Sequence, residues 1–368
     1  MKNSTIIILA AFAALSSAAC SKLQEPEAER YETGEKCSLS LDFSGGTGTR
    51  ATGQTRAKES MIQNVQVFVF RADAGTDGGL LDACKSAGFG TDLNFDASSA
   101  PYSGLTLECT VGQREIYALV NCDKDYTADG SVLNKAALLS KTIALGNTRA
   151  DRLFMSGSVT ATLKPGKETH SVTVRRACAG VVLESVKNEM LAGAYQKPGA
   201  FKIKKVYLTN VPARVNFAFS TSPSSLSDAD WYAKMKAETR SSLIYDDVSG
   251  VSGVVLDYGK TYNTVHSLYS FPNDCKPDTA PVWSPRATRL VIEASYDDGA
   301  VAHDFYYPIT LYNESTRKGL EANKQYKVNL TIRRPGSDSP DKPVEFDAVT
   351  GSIHVASWEN GNGYTETI

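Results

Sequence analysis

The sequence predicts an all-β protein made of two consecutive sandwich-like domains with short helical insertions. Three observations carry that prediction. Short segments alternate between apolar and polar residues, as in CSLSLDF (37–43). Turn-forming Gly, Pro, Asn and Asp separate these segments, and only two short stretches show helical periodicity. A turn-rich piece near the middle, NEMLAGAYQKPGA (188–200), reads as a linker between domains at 37–187 and 201–368.

The N-terminus reads as an export signal over residues 1–20. Lys2 supplies a positive start, Ile6 to Leu15 an apolar core, and Ser17-Ala18-Ala19 the small residues before Cys20. This arrangement resembles a bacterial lipobox, which implies lipidation of Cys20 and anchorage in the outer membrane; ordinary signal cleavage is the alternative. Residues 21–36 are polar and acidic without apolar periodicity, the composition of a disordered tether.

The first strand follows. Cys37, Leu39, Leu41 and Phe43 fall on one face, with Ser38, Ser40 and Asp42 on the other. A connector, 45–60, begins GGTGTRATGQTR and contains two arginines but little that could pack. In the next strand Val65, Val67 and Val69 share one face and Phe68 and Phe70 the other, so both faces are expected to be covered. LTLECTV, EIYALVN and LFMSGSV continue the series, and SVLNKAALLSKTI (131–143) between the last two fits a short helix. SVTVRRACAGVVLESV reads as a long strand or strand pair, with Arg175-Arg176 at an exposed edge or in a local salt bridge. Beyond the linker come FKIKKVYLTNV, a helical insertion expected over SLSDADWYAKMKAE (225–238), and the strands RLVIEASY, HDFYYPITLY, QYKVNLTI and SIHVASW.

Composition and motifs disfavour several functions. A net charge of −2 with scattered Lys and Arg gives no basic stripe for nucleic acid. The four histidines, His170, His266, His303 and His354, are far apart in sequence, with no HExxH, P-loop or GxSxG. No catalytic residue, metal site or cofactor is expected. His303 and Asp304 are neighbours on a strand and point to opposite faces. Tyr306, Tyr307 and Trp358 read as packing or, less simply, as a binding surface. The six cysteines after Cys20 leave buried thiols and one or two disulfides both open.

The connector raises the functional question. Proteases cut mobile, small-residue segments, and a cut beside either arginine severs the link to the first strand. Loss of that strand exposes an apolar groove with unpaired strand edges, which another strand can fill. A candidate donor is SIHVASWENGNGYTETI (352–368), with Ile353, Val355, Trp358, Tyr364 and Ile368 as its apolar positions. Asn360-Gly361 or Asn362-Gly363 could equally turn YTETI back as a local hairpin.

The ordered set of NVQVFVFRADAG, EIYALVNCD, LFMSGSV, FKIKKVYLTNV, FYYPITLY, LEANKQYKVNLTIRRPGSDSP and IHVASW, together with Cys20, resembles the Bacteroidales fimbrillins of the FimA and Mfa type, subunits of type V pili. The resemblance implies two transthyretin-like β-sandwich domains, lipoprotein export, removal of the first strand by an arginine-specific surface protease, and polymerisation by C-terminal strand donation. Carried onto this sequence, Cys37 to Phe43 are removed, the cut matches Arg50 with Arg56 as the fallback, and the donor lies within Ser352 to Ile368. Other fimbrial subunits are the implied partners. An anchor or tip subunit, and a monomeric surface lipoprotein binding glycan or host ligands, are the competing readings. Asp278-Thr279-Ala280 resembles an O-glycosylation motif of the same bacteria.

Overall fold

The computed structural model describes residues 34–45, 59–72, 79–98, 100–219, 230–234, 236–237, 241–248, 252–275, 286–297, 299, 301–312, 319–344, 348–357 and 363–367. The all-β class holds. The strands that frame the molecule are β1 (Lys36–Gly45), β2 (Val65–Arg71), β3 (Leu81–Ala87), β4 (Tyr102–Thr110), β5 (Gly112–Val120), β6 (Met155–Leu163), β7 (Gly166–Arg176) and β8 (Ala179–Asn188). They continue as β9 (Phe201–Thr209), β10 (His266–Ser270), β11 (Arg289–Asp297), β12 (Ala302–Thr310), β13 (Lys324–Ile332), β14 (Val349–Ser357) and β15 (Gly363–Thr367). The expected first helix is α1 (Lys135–Leu139), whose Asn134 cap accepts a hydrogen bond from the Ala137 N–H at 2.8 Å.

Seven strands form the first sheet in the order β3-β2-β5-β6-β7-β1-β4. The sheet curls on itself, because side chains from both halves of this order share one core. Val65, Val67, Val69 and Ile116 pack in the same cluster as Cys37, Leu39, Leu41 and Phe43. Phe68 and Phe70, on the opposite face of β2, join a second cluster with the later strands. Both faces of β2 are therefore buried, as its sequence predicts.

The second sheet runs β8-β13-β14-β15, with β10 paired to β8; the third contains β9-β11-β12. Val181, Leu183, Val328 and Ile353 from the second pack with Ile203, Ile292 and Ile309 from the third. The chain changes sheets at Ala177-Cys178, ahead of the linker expected at 188–200. The reason is β8, which pairs in parallel with β13 from Gly180↔Gln325 to Asn188↔Ile332 and so joins strands from the end of the chain. Residues 188–200 instead carry a short 3-10 turn, Gly193–Gln196.

Two further expectations are corrected. Where the insertion 225–238 is described it is not α-helical: Asp230 is in a 3-10 turn, and Trp231–Tyr232 form a short strand paired with Val211–Pro212. Burial of Trp231 and Ala233 overrides the local helical pattern. Of the arginine pair, Arg175 is exposed as expected, whereas Arg176 is 3% accessible and its Nη2 donates to the Glu59 carbonyl at 3.3 Å. Among the described residues no helix is long and apolar enough to cross a membrane.

Candidate assembly interface

β1 is an inner strand. One edge pairs in parallel with β7, from Cys37↔Gly166 to Gly45↔Val174, and the other pairs antiparallel with β4, with Cys37↔Cys109, Leu39↔Leu107 and Leu41↔Leu105 opposed. A register shift between Leu41 and Phe43 sets Phe43 opposite Tyr102, and the two rings stack with centroids 6.2 Å apart. The alternation read from sequence is reproduced in burial. Cys37, Leu39, Leu41 and Phe43 are each at most 1% accessible, while Ser38, Ser40 and Asp42 are half-buried. Burying Leu39, Leu41 and Phe43 is worth roughly 4.5–9 kcal/mol at about 1.5–3 kcal/mol each. Breaking the connector alone would leave those contacts in place.

Without β1, the surrounding groove would be walled by β7 and β4 and floored by Val65, Val67, Val69, Ile116, Val172 and Val174. Its β4 wall has a second attachment. Asp82 on β3 accepts from the Thr110 N–H at 2.8 Å and the Thr110 hydroxyl at 2.7 Å, and pairs with Arg114 at 3.3 Å. The Asp82 and Arg114 side chains are each 4% accessible. Lys85 adds a bond to the Thr106 carbonyl at 2.5 Å. These links hold β4 to β3 independently of β1. Sequence reasoning missed them, since no local pattern relates Asp82 to Thr110.

Burial controls the thiols beside the groove. It is the main cause raising the Cys109 pKa to about 12, with the Cys37 sulfur adding to it. Burial likewise raises Cys37, assisted by the Glu168 carboxylate.

At the C-terminal end, β14 lies between β13 and β15. Ile353 and Val355 are 0% and 2% accessible, opposed to Val328 and Tyr326. These two donor candidates belong to the core of their own subunit. β15 pairs with β14 from Ser352↔Thr367 to Ala356↔Gly363, with Tyr364 opposite Val355, and forms the edge of this sheet. Cys20, Arg50, Arg56, Trp358, Ile368 and the Asp278-Thr279-Ala280 motif lie outside the described residues.

Other chemistry is sparse among the described residues. No group of His, Cys, Asp and Glu could hold a metal ion. Tyr307 is buried, and Tyr195 packs edge-on against Tyr296 at 4.8 Å. A surface hollow of about 620 Å³ contains Tyr195, Arg333, Arg334 and Asp338, with Tyr195 as its single aromatic residue.

The fold and the sequence both have relatives. Residues 37–198 match the family described as major fimbrial subunit protein (FimA). A curated relative, the major fimbrium subunit FimA type-4 of Porphyromonas gingivalis, is 24% identical over 301 residues, covering 68% of this chain and 76% of that one. The solved fimbrilin of P. gingivalis superposes with a TM-score of 0.56 at 17% identity, covering 88% of this chain and 98% of the other. A candidate cell adhesion protein from Parabacteroides distasonis gives a TM-score of 0.61 at 16% identity, covering 88% and 99%.

Proposed function

Because the chain is related to the Bacteroidales fimbrillins, we propose that it is a structural subunit of a surface fimbria, exported as a lipoprotein through Cys20 and assembled by donor-strand exchange. The observation that carries this reading is β1: an inner strand with four buried side chains, joined to the rest of the chain by a glycine-rich, arginine-bearing connector. Cutting after Arg50, or after Arg56, breaks the backbone link between β1 and the rest of the chain. A neighbouring subunit then offers a strand that takes over both ladders and the apolar row.

On this reading the donor is the tail beyond β14. Withdrawing β15 breaks one edge ladder, whereas withdrawing β14 would pull Ile353 and Val355 out of the subunit's own core. Tyr364 and Ile368 stand four residues apart, the spacing of Leu39 and Phe43. Glu366 falls between them where β1 has Leu41, so this tail is a weaker insert than β1 itself. That mismatch favours a second reading, a subunit at one end of the fibre, anchor or tip, that receives a strand without giving a strong one.

The test is to express the chain without its signal and treat it with an arginine-specific protease. SDS-resistant ladders that vanish in Arg50→Ala, or on deletion of residues 359–368, support the polymerising subunit. Oligomers formed only when a second subunit type is added support the end-of-fibre reading. A fully cut protein that stays monomeric in both settings, with and without reductant, overturns both.

A further inference from the structure

We propose that Cys37 and Cys109 form a disulfide in the exported protein, so that β1 remains covalently tied to β4 after the connector is cut. The two residues are direct cross-strand partners; both are free thiols in the structure, with the Cys109 S–H donating to the Cys37 carbonyl at 3.7 Å. Their side chains share one buried cluster. The Val111 N–H donates to the Glu35 carbonyl at 3.0 Å, which makes 35/111 a hydrogen-bonded pair. Two residues further along the same antiparallel register, Cys37/Cys109 is of the same type. Such pairs have Cα atoms about 5.5 Å apart, inside the roughly 4.4–6.8 Å that a disulfide spans. Of the cysteines described, these two alone stand opposite one another in a strand pairing.

The oxidant required is the disulfide of a thiol–disulfide oxidoreductase in the export compartment. The Cys109 thiolate attacks that disulfide and expels one oxidoreductase thiolate, leaving a mixed disulfide. The Cys37 thiolate then attacks the Cys109 sulfur, forming the Cys37–Cys109 bond and expelling the second thiolate. Two protons and two electrons pass from the cysteines to the oxidoreductase, which leaves as a dithiol. Docking of β1 removes both sulfurs from solvent, so the exchange precedes docking and the finished bond is sheltered from soluble reductants. The bond rests on the proposed export alone; its consequence, that strand release requires reduction as well as proteolysis, rests on the proposed assembly as well.

The experiment uses the full chain secreted into an oxidising compartment and purified without reductant, with free thiols blocked by N-ethylmaleimide. Trypsin digestion under denaturing conditions places Cys37 alone in peptide 37–50 and Cys109 alone in peptide 86–114. A linked species of these two, lighter by two hydrogens than the separate thiol peptides, is expected. Finding both peptides alkylated and unlinked overturns the proposal. A parallel sample is cut natively with an arginine-specific protease and run on SDS gels. A reducing lane reports whether the connector was cut, which tests the proposed function separately. Where it was cut, the strand-bearing fragment should stay attached without reductant and separate with it. Release without reductant from wild-type protein overturns the latch, and Cys109→Ala should release the fragment in both lanes. The peptide measurement on wild-type protein decides the bond even if that variant does not fold.

Discussion

The Tyr269 hydroxyl donates to Glu59 Oε1 at 2.5 Å, joining β10 of the second sheet to the last part of the 45–60 connector. Glu59 is 8% accessible and Tyr269 4%, and the Glu59 carbonyl also receives Arg176 at 3.3 Å. A cut at Arg50 or Arg56 therefore leaves the new N-terminal segment fastened two or more residues downstream. Tyr269→Phe deprives a buried carboxylate of this donor and should cost about 1–3 kcal/mol. Urea unfolding should show a lower midpoint with an unchanged slope, and the natively cut protein should lose more than the uncut one.

The Asp82 clamp yields a second expectation. Asp82→Asn removes the charge opposite Arg114, whose side chain is 4% accessible, and weakens the acceptor for Thr110. Breaking a buried ion pair on one side costs about 3–5 kcal/mol. Because the clamp holds the β4 wall, the variant should also show faster hydrogen exchange in β4 than in β7 once β1 is displaced. Equal rates in the two strands would remove the clamp from this role.

The elements that were legible in the sequence are those fixed by local patterns. β1 alternates because its neighbours make one face core and the other surface, and residues 37–43 encode that alternation directly. The apolar spacing of SVLNKAALLSKTI announced α1, whereas its Asn134 cap emerged only in the structure. The sheet crossing at Ala177-Cys178 was hidden because Val172 and Val174 before it and Val181 to Leu183 after it are equally apolar; only pairing with residues 325–332 separates them. Asn121, Asn210 and Asn323 take φ of 59, 55 and 58°, a conformation asparagine adopts more readily than most residues. Their side chains then hold distant backbone, such as Asn121 bonding the Met61 and Leu153 carbonyls. A lone Asn after an apolar run gave no sign of those partners.

Gly157, within LFMSGSV, is required by a close approach rather than a turn. A Cβ there would stand 2.1 Å from the Thr173 carbonyl oxygen on β7, a backbone atom that cannot swing aside. Gly157→Ala should therefore separate β6 from β7 near the edge that receives β1. A thermal midpoint several degrees lower is expected, from a loss of about 1–3 kcal/mol. A variant as stable as the parent would show that the two strands part without cost.

Leu41 tests how far β1 holds itself in place. It is 1% accessible and faces Leu105 across the sheet, so Leu41→Ala should cost about 2–5 kcal/mol of stability. On the proposed function the same loss falls on the strand that must leave. After connector cleavage and, where the disulfide is present, reduction, the variant should exchange β1 for an added donor peptide faster than wild type. The readout is the rate at which a labelled β1 fragment separates under native conditions. Lower stability with an unchanged release rate would mean that β1 leaves only after the whole domain unfolds.

Acid stability has a named source in the loop over β2 and β3. Burial pushes the Asp125 pKa upward, but hydrogen bonds from the Thr127 and Ser86 hydroxyls and the Thr127 N–H outweigh it, and the net direction is downward. The bonds are 2.7, 2.7 and 2.9 Å long. A carboxyl whose folded pKa lies below its unfolded value stabilises the fold above the unfolded pKa, about 3.9 for Asp. That contribution fades as pH falls through the folded value. Asp125→Asn should lower the unfolding free energy at pH 7 and flatten its decline below about pH 4, because the amide has no proton to gain. Unfolding titrations of both proteins between neutral pH and pH 2 measure the difference. Parallel acid limbs would assign the acid sensitivity to other carboxyls.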